Sequence, residues 1–186
     1  MIRRKNDEKI YLLQHYFLPE ERVDMLEATS SKEAPYRIWE KRGLLTLCEG
    51  SMVKYSDVTA WFVEMRDKYK IDIWRLGYDR ALANYWVEEM KNEFGNVMEA
   101  VPQGPLTWTA PMNELGGMLA DKKVNYNNNP IFKWCLTNTA VKKSGTNEAI
   151  QPIKIQTHRR IDGLVSFLNA YTIYVKYRDD YLNMVG

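Results

Sequence analysis

The sequence predicts an α/β fold in which a mostly parallel sheet is flanked by helices. Short apolar segments rich in β-branched and aromatic residues alternate with longer amphipathic segments, and this alternation is typical of parallel sheets. The chain has 186 residues and is 45% hydrophobic, which favours one domain with one sizeable core. No apolar run is long enough to span a membrane, and the charged start MIRRKNDEK is followed by no apolar leader, so we expect neither a membrane span nor a signal peptide.

Each element is predicted from its own pattern. Runs of apolar and aromatic residues predict strands over 10–18, 44–48, 71–78 and 97–101. Helical spacing of apolar residues predicts a helix that begins at Ser56 and further helices over 81–94, 105–121, 130–136 and 161–177. We predict a loop with a short helix over 20–36, a turn over 5–8 and a loop or hairpin over 142–156. Gly116 and Gly117, inside the 105–121 helix, indicate close packing there.

Charge and cysteine content narrow the function classes. Residues 1–121 carry 16 Lys and Arg against 20 Asp and Glu, whereas residues 122–186 carry 10 against 4. The basic C-terminal third indicates contact with a polyanion or, alternatively, a solvated helix face. Cys48 and Cys135 are too few for a disulfide scaffold or a structural zinc site, and they fit a reducing compartment. Cys135 is predicted to be a core residue rather than a nucleophile.

Two aspartates are candidates for chemistry because of where they fall. Asp79 follows a predicted strand at its carboxyl end, which is the edge where open α/β sheets bind ligands. Asp162 lies in the first turn of an apolar helix. Each also has a purely structural explanation, since Asp79 can cap the next helix and an acid in a first turn favours the helix dipole. If the two meet, oxygen ligands alone suit Mg²⁺ or Mn²⁺, and two such ions about 4 Å apart clamp a phosphodiester displacement.

Other catalytic motifs are missing from the sequence. It contains no G-x-x-x-x-G-K-[ST], no G-x-G-x-x-G and no G-x-S-x-G, so nothing indicates an ATP, dinucleotide or acyl-transfer site. His15 falls in a predicted strand and is expected in the interior, while His158 adjoins Arg159 and Arg160 and is a weaker candidate for phosphate or metal. The aromatic residues of Trp61-Phe62 and of 171–177 have helical spacing, which favours packing over base stacking.

Several short motifs together carry a family resemblance. They are Phe17-Leu18-Pro19-Glu20, Tyr36 with Trp39, Gly43-Leu44-Leu45 with Gly50, Gly77-Tyr78-Asp79-Arg80, Val101-Pro102-Gln103-Gly104, Pro111-Met112 with Glu114-Leu115, Asn129-Pro130 with Trp134 and Asn138, Lys154, and Arg160-Ile161-Asp162-Gly163. In this order and spacing they resemble the C-terminal nuclease domain of tailed-phage large terminases, over nearly the whole chain. Residues 1–186 are therefore identified as one terminase-type nuclease domain.

The resemblance implies a fold, an activity and a site. The fold is an RNase H-like mixed sheet flanked by helices, and the activity is a metal-dependent endonuclease that cuts concatemeric double-stranded viral DNA during packaging in the host cytoplasm. Asp79 and Asp162 match two of three acidic positions that hold two Mg²⁺ or Mn²⁺ ions. Lys154, His158, Arg159 and Arg160 are then expected to face the DNA backbone. The implied partners are double-stranded DNA, the terminase small subunit and the portal or prohead.

The family's first strand has no counterpart in this chain. That strand is central in the family's sheet and carries the first acid, whereas this chain begins at Met1 in the predicted turn after it; Asp7 lies in that turn and is not promoted to a ligand. We therefore expect the chain to be N-terminally truncated and, with one acid absent, to have little or no cleavage activity. The strands over 10–18 and 71–78 then either pair directly, or another chain fills the gap, or the protein begins upstream.

Two other functions remain open. The chain is either a non-catalytic remnant that binds DNA or protein, or a resolvase-like nuclease of the same fold class that acts on branched DNA. The P-loop of the family's N-terminal motor is absent from these residues, so we do not expect them to translocate DNA.

Overall fold

The computed structural model describes residues 1–4, 6–28, 34–82, 84–145 and 148–185. Its strands are β1 (Ile2–Arg3), β2 (Ile10–Tyr11), β3 (Tyr16–Pro19), β4 (Leu45–Cys48), β5 (Leu76–Asp79), β6 (Met98–Val101), β7 (Val124–Asn125), β8 (Thr139–Ser144) and β9 (Ala149–Lys154). Its helices are α1 (Glu20–Ala28), α2 (Tyr36–Lys41), α3 (Tyr55–Asp67), α4 (Asn84–Phe94), α5 (Pro105–Ala120), α6 (Pro130–Thr137), α7 (Asp162–Lys176) and α8 (Arg178–Val185), with a 3₁₀ turn at Arg80–Leu82. Among these helices, none combines the length and apolar character that a membrane span requires.

The chain forms two compact units. The larger unit comprises Met1–Leu13, Arg75–Asn84 and Val97–Gly186, and the smaller comprises Gln14–Trp74 and Tyr85–Asn96. The pairs β2–β7, β3–β4 and β5–β6 are parallel, whereas β1–β2 and β8–β9 are antiparallel. Parallel pairing is therefore confirmed for three pairs. The described strands nevertheless form four separate small sheets rather than the one sheet that the alternation of elements predicted.

Two strand predictions were wrong in extent. The predicted strand over 10–18 divides into β2, which pairs with β1 and β7, and β3, which pairs with β4. The predicted strand over 71–78 begins only at Leu76, because the N–H of Ile71 donates to the carbonyl of Met65 at 3.0 Å and is tied to the end of α3. Among the described residues β3 pairs only with β4 and β5 only with β6, so direct pairing, one of the three alternatives for the segments 10–18 and 71–78, is not found. Strand β1 also precedes the predicted turn, whose residue 5 lies outside the described residues.

The helix predictions are more accurate, with three corrections. Helices α5, α6 and α7 match their predicted ranges to within a residue or two. Helix α1 is the short helix expected within 20–36, but α4 begins at Asn84 rather than at 81, and α2 and α8 were not predicted. Close packing at Gly116 and Gly117 was also wrong, because a Cβ added at either position would meet nothing within 4 Å.

Helix α7 lies at the centre of the larger unit's core. Its apolar face is buried along its whole length, and rings from α6 and α7 form a continuous chain of contacts. Phe132 and Phe167 have centroids 5.9 Å apart, and Phe167 and Tyr171 have centroids 6.1 Å apart in edge-to-face geometry. Tyr171 is fully buried, and Cys135 is 2% exposed, so the packing interpretations of both residues are confirmed.

Helix α6 is held at its start by a local signal. The Asn129 side-chain oxygen accepts from the N–H groups of Ile131 and Phe132 at 3.0 and 3.2 Å, and Pro130 occupies the first turn, where its missing N–H costs nothing. This cap fixes the start of α6, whereas the chain turns into β8 at the other end of the helix, after Asn138.

The smaller unit contains an arginine surrounded by acids and a cluster of aromatic rings. Arg37 contacts the carboxylates of Glu20 and Asp24 at 3.0 and 2.5 Å, with Glu27 and Glu40 within 4 Å. The rings include His15, which is half-buried outside any strand, stacks on Trp61 and hydrogen-bonds the Thr46 hydroxyl at 2.8 Å.

Candidate functional site

Asp79 is the last residue of β5, at the carboxyl end of a parallel strand pair. It is half-buried and lies in register with Val101 of β6. Its Oδ1 accepts from the N–H of Ala81 at 2.9 Å, which caps the 3₁₀ turn that follows. Both interpretations of Asp79 therefore fit: the carboxylate caps a turn, and it lies at the strand end where ligands bind in this class of fold.

Asp162 is the first residue of α7 and is exposed to solvent. The preceding Ile161 caps the helix without a side-chain hydrogen bond, so the acid lies in a first turn where the helix dipole favours negative charge. The backbone N–H groups of Gly163 and Leu164 face the thiol of Cys135, whose pKa is raised to about 11 mainly by burial. The start of α7 is thus packed against α6 while the Asp162 side chain points to solvent.

The elements that carry the two acids, β5 and α7, pack on each other. Gly77 makes this contact possible, because an added Cβ would lie 2.8 Å from the Asn169 carbonyl oxygen and 2.7 Å from Ile173 Cγ1. Distances below 3.0 Å are not tolerated, so only glycine allows the strand and the helix to approach this closely. The close packing that the sequence suggested for Gly116 and Gly117 is found here instead.

Gln103 ties the ends of β5 and β6 to the same helix. Its Nε2 donates to the carbonyl of Val101 at 2.8 Å and to Oδ1 of Asn169 at 3.1 Å, and Asn169 is only 5% exposed. Because Val101 is in register with Asp79, this bridge lies level with the Asp79 end of the strand. Asp162 lies two turns before Asn169, about 10 Å along the helix axis. The carboxyl end of β5 and the start of α7 therefore lie at the same end of the strand–helix pair.

The ligands at this end meet some of the requirements of a divalent cation site, but not all of them. Within the described ranges, no three His, Cys, Asp or Glu side chains cluster in a way that could hold a metal ion. Mg²⁺, however, is commonly bound by one or two carboxylates, with substrate phosphates and water completing its shell. Asp79 and Asp162 supply that kind of oxygen ligand.

Both carboxylate oxygens of Asp7 accept hydrogen bonds from residues that closely follow it in the chain. Its Oδ1 accepts from the Lys9 N–H at 2.8 Å and its Oδ2 accepts from the Tyr11 hydroxyl at 2.6 Å. The Tyr11 hydrogen bond, followed by the Lys9 N–H, lowers the pKa of Asp7 below its ordinary value. Leaving Asp7 out of the ligand set is consistent with these contacts.

The four basic candidates lie on one continuous stretch that leads into α7. Lys154 ends β9 and His158 lies in the following loop, and both are exposed; Arg159 and Arg160 are half-buried. The Arg159 Nε donates to Gln156 Oε1 at 3.3 Å, a contact within the loop. The stretch ends at Arg160, two residues before Asp162, so its cations and this carboxylate are close in the chain.

Two residues of this region belong to the family motifs, but the sequence predicted no role for them. Gln103 joins β6 to α7, and the buried Asn138 contacts both ends of the basic loop. Their motifs, Val101-Pro102-Gln103-Gly104 and Asn129-Pro130 through Asn138, gave the only available signal, because a bridging role depends on partners that are distant in sequence.

The fold is that of an RNase H-like nuclease domain. It matches the crystal structure of the HK97 bacteriophage large terminase with a TM-score of 0.73 and 22% identity, over 84% of this chain and 32% of that chain. The chain belongs to the family described as terminase large subunit, endonuclease domain, whose family model matches residues 1–177.

Two curated relatives match this chain with similar identity and coverage. The chain is 24% identical over 159 residues to Protein YmfN of Escherichia coli (strain K12), and 25% identical over 146 residues to the terminase large subunit of Enterobacteria phage HK97. These alignments cover 83% and 75% of this chain but only 34% and 27% of the relatives. The chain therefore spans about a third of the length of the proteins it matches.

Proposed function

We propose that this chain is a metal-dependent endonuclease domain that cuts concatemeric double-stranded viral DNA during packaging. The observation that carries the proposal is the β5–α7 contact, with Asp79 and Asp162 at its one end and the basic stretch 154–160 leading into Asp162. Family membership supports the same activity, because the family is that of the terminase endonuclease domain. The proposal includes action in the host cytoplasm with the terminase small subunit and the portal or prohead as partners, as the resemblance of the sequence implies.

Asp79 and Asp162 would hold Mg²⁺ or Mn²⁺ through their carboxylates. When bound, such ions would stabilise the charge that develops on the attacking and leaving oxygens of a phosphodiester. Lys154, Arg159 and Arg160 would bind backbone phosphates, which sets affinity and orientation without reading the bases. His158 extends this basic surface at the exposed side of the loop.

The test compares Asp162→Asn with a matched control. Asp179 is also an exposed acid in the first turn of a helix, so Asp179→Asn removes the same charge from an equivalent position. In a plasmid-nicking assay with Mn²⁺, any nicking by the wild-type chain, which is expected to be weak, should be abolished in Asp162→Asn and retained in Asp179→Asn. Equal nicking by both variants would remove Asp162 from the site, and a change in their circular dichroism would show whether either has lost its fold.

A second candidate function follows from the incomplete acidic cluster. Because no third acid joins Asp79 and Asp162 among the described residues, a DNA-binding module without cleavage has support of its own. Binding of duplex DNA that weakens steeply with salt, together with no nicking in Mg²⁺ or Mn²⁺, would favour this module over the nuclease. Preferential cleavage of branched over linear DNA would instead favour a resolvase-like nuclease.

A further inference from the structure

Asn138 occupies the joint between α6 and β8 and is almost completely buried. Its side chain and backbone are 3% exposed, so it has no surface to offer to DNA. Its carbonyl oxygen accepts from the N–H of Ile155 at 2.9 Å, and its side-chain Nδ2 donates to the carbonyl oxygen of Arg160 at 3.0 Å. One residue therefore contacts both ends of the loop 155–160.

This loop carries three of the four basic candidates. Between the two Asn138 contacts the chain makes one internal turn, in which the Arg159 N–H donates to the Gln156 carbonyl at 3.0 Å. Beyond Arg160 the chain enters α7 at once, with Asp162 as its first residue. The Asn138 side chain thus holds the backbone at the point where the basic loop becomes the helix that carries a candidate metal ligand.

We propose that Asn138 is a positioning residue that presents the basic loop 155–160 and the start of α7 to DNA. The proposal rests on the proposed function, in which this loop binds backbone phosphates. A loop tethered at both ends loses less conformational freedom when it binds, so the same cations bind more tightly. The interaction needs a donor on the side chain: aspartate has the same shape, but an ionised carboxylate would place an oxygen against the Arg160 carbonyl.

The experiment measures DNA affinity and loop exposure in a matched pair of variants. Asn129 is also a buried asparagine whose side chain bonds backbone groups of α6. It lies at the start of that helix, whereas Asn138 and the basic loop lie at its end. Asn138→Ala and Asn129→Ala are compared by fluorescence anisotropy with a labelled duplex in the absence of divalent metal. Their thermal melting and their trypsin cleavage after Lys154, Arg159 and Arg160 are followed in parallel.

We expect Asn138→Ala to weaken duplex binding about tenfold and to speed cleavage in the loop by a similar factor. Asn129→Ala should lower the melting temperature comparably and leave both readouts near wild type. Asn138→Asp should bind no better than Asn138→Ala, because the donor and not the volume is what matters. If Asn138→Ala does not fold, Asn138→Ser is measured in the same way, because serine keeps a polar group at this position.

Arg159→Glu separates this inference from the proposed function. If Arg159→Glu leaves DNA binding unchanged, the loop is not a DNA surface and the proposed function loses its binding residues. If Arg159→Glu weakens binding but Asn138→Ala binds as well as Asn129→Ala, the loop binds DNA and the positioning role of Asn138 is wrong.

Discussion

The contact between β5 and α7 is tested most directly by adding a single methyl group to it. In Gly77→Ala the new Cβ would lie 2.7 Å from Ile173 Cγ1, 2.8 Å from the Asn169 carbonyl oxygen and 3.0 Å from Val101 Cγ2. The Ile173 side chain can rotate away, but the carbonyl belongs to a central helix of the core and can yield only if strand and helix separate. Overpacking of this kind costs about 1–3 kcal/mol of the free energy of unfolding.

The matched control is a glycine with open space around it. Gly116 lies inside α5, where an added Cβ meets nothing within 4 Å, so Gly116→Ala should stabilise the helix by about 0.5–1 kcal/mol. At about 2–4 °C per kcal/mol, Gly77→Ala should melt about 2–12 °C below wild type and Gly116→Ala slightly above it. Urea denaturation followed by circular dichroism gives the same comparison as free energies.

A second readout connects this contact to the candidate site. Because Asp79 follows Gly77 by two residues, a displaced strand end also shifts Asp79 relative to α7. Nicking or metal-dependent DNA binding should therefore fall more in Gly77→Ala than in Gly116→Ala. A Gly77→Ala variant as stable as wild type would show that β5 and α7 do not approach as closely as described, and the argument that places Asp79 and Asp162 at one end would fail with it.

Three further predictions concern charge and burial. Burial, more than any other cause, raises the pKa of the Cys48 and Cys135 thiols to about 11. At pH 8 about one thiol in a thousand is then ionised, so Ellman's reagent should label the native chain far more slowly than the urea-unfolded chain, and equal rates would contradict this. Burial alone would raise the pKa of Glu99, but hydrogen bonds from Lys176 and a tyrosine hydroxyl outweigh it and hold the pKa below the ordinary 4.5. A carboxyl with a lowered pKa stabilises the fold above pH 4.5, and this contribution is lost as the pH falls through the lowered value. Glu99→Gln should therefore cost about 1 kcal/mol at pH 7 and progressively less as the pH is lowered below 4.5, as measured by urea denaturation, and a cost that does not change with pH would refute it. Arg37→Gln should destabilise the chain in low salt, because four carboxylates lose their shared cation, and should do so less in 1 M salt; a loss that salt does not change would rule out the electrostatic cause.

Local sequence signals predicted the helices better than the strands. Helix α6 has Asn129 and Pro130 at its start and helical spacing within, and all of these signals lie inside the helix itself. A strand depends on a partner elsewhere in the chain, and segment 10–18 looked like one strand because nothing local shows that β2 and β3 pair with β7 and β4. Segment 71–75 failed for the same reason, since its apolar alternation has no ladder partner among the described residues.

In the candidate site, too, the local features could be predicted and the distant contacts could not. Asp79 and Asp162 were found from the sequence because each stands at a recognisable position, the end of a strand and the start of a helix. The roles of Gly77, Gln103 and Asn138, which position β5, β6 and the basic loop, could not be predicted. All three act through partners that are distant in sequence. Gly116 and Gly117 attracted the packing prediction because two glycines in an apolar helix are conspicuous, whereas a single glycine in a short strand is not.

The sequence by itself determined the class of fold, helices α5, α6 and α7, the two candidate acids and the basic stretch before α7. These properties are set by capping residues, by periodic burial and by residue types whose chemistry is local. Only the tertiary structure decided which strands pair, that α7 packs on β5 at Gly77, and that one buried asparagine bonds both ends of the basic loop. Such relations require groups far apart in the chain to come within a few ångströms, and that proximity arises only when the core has formed.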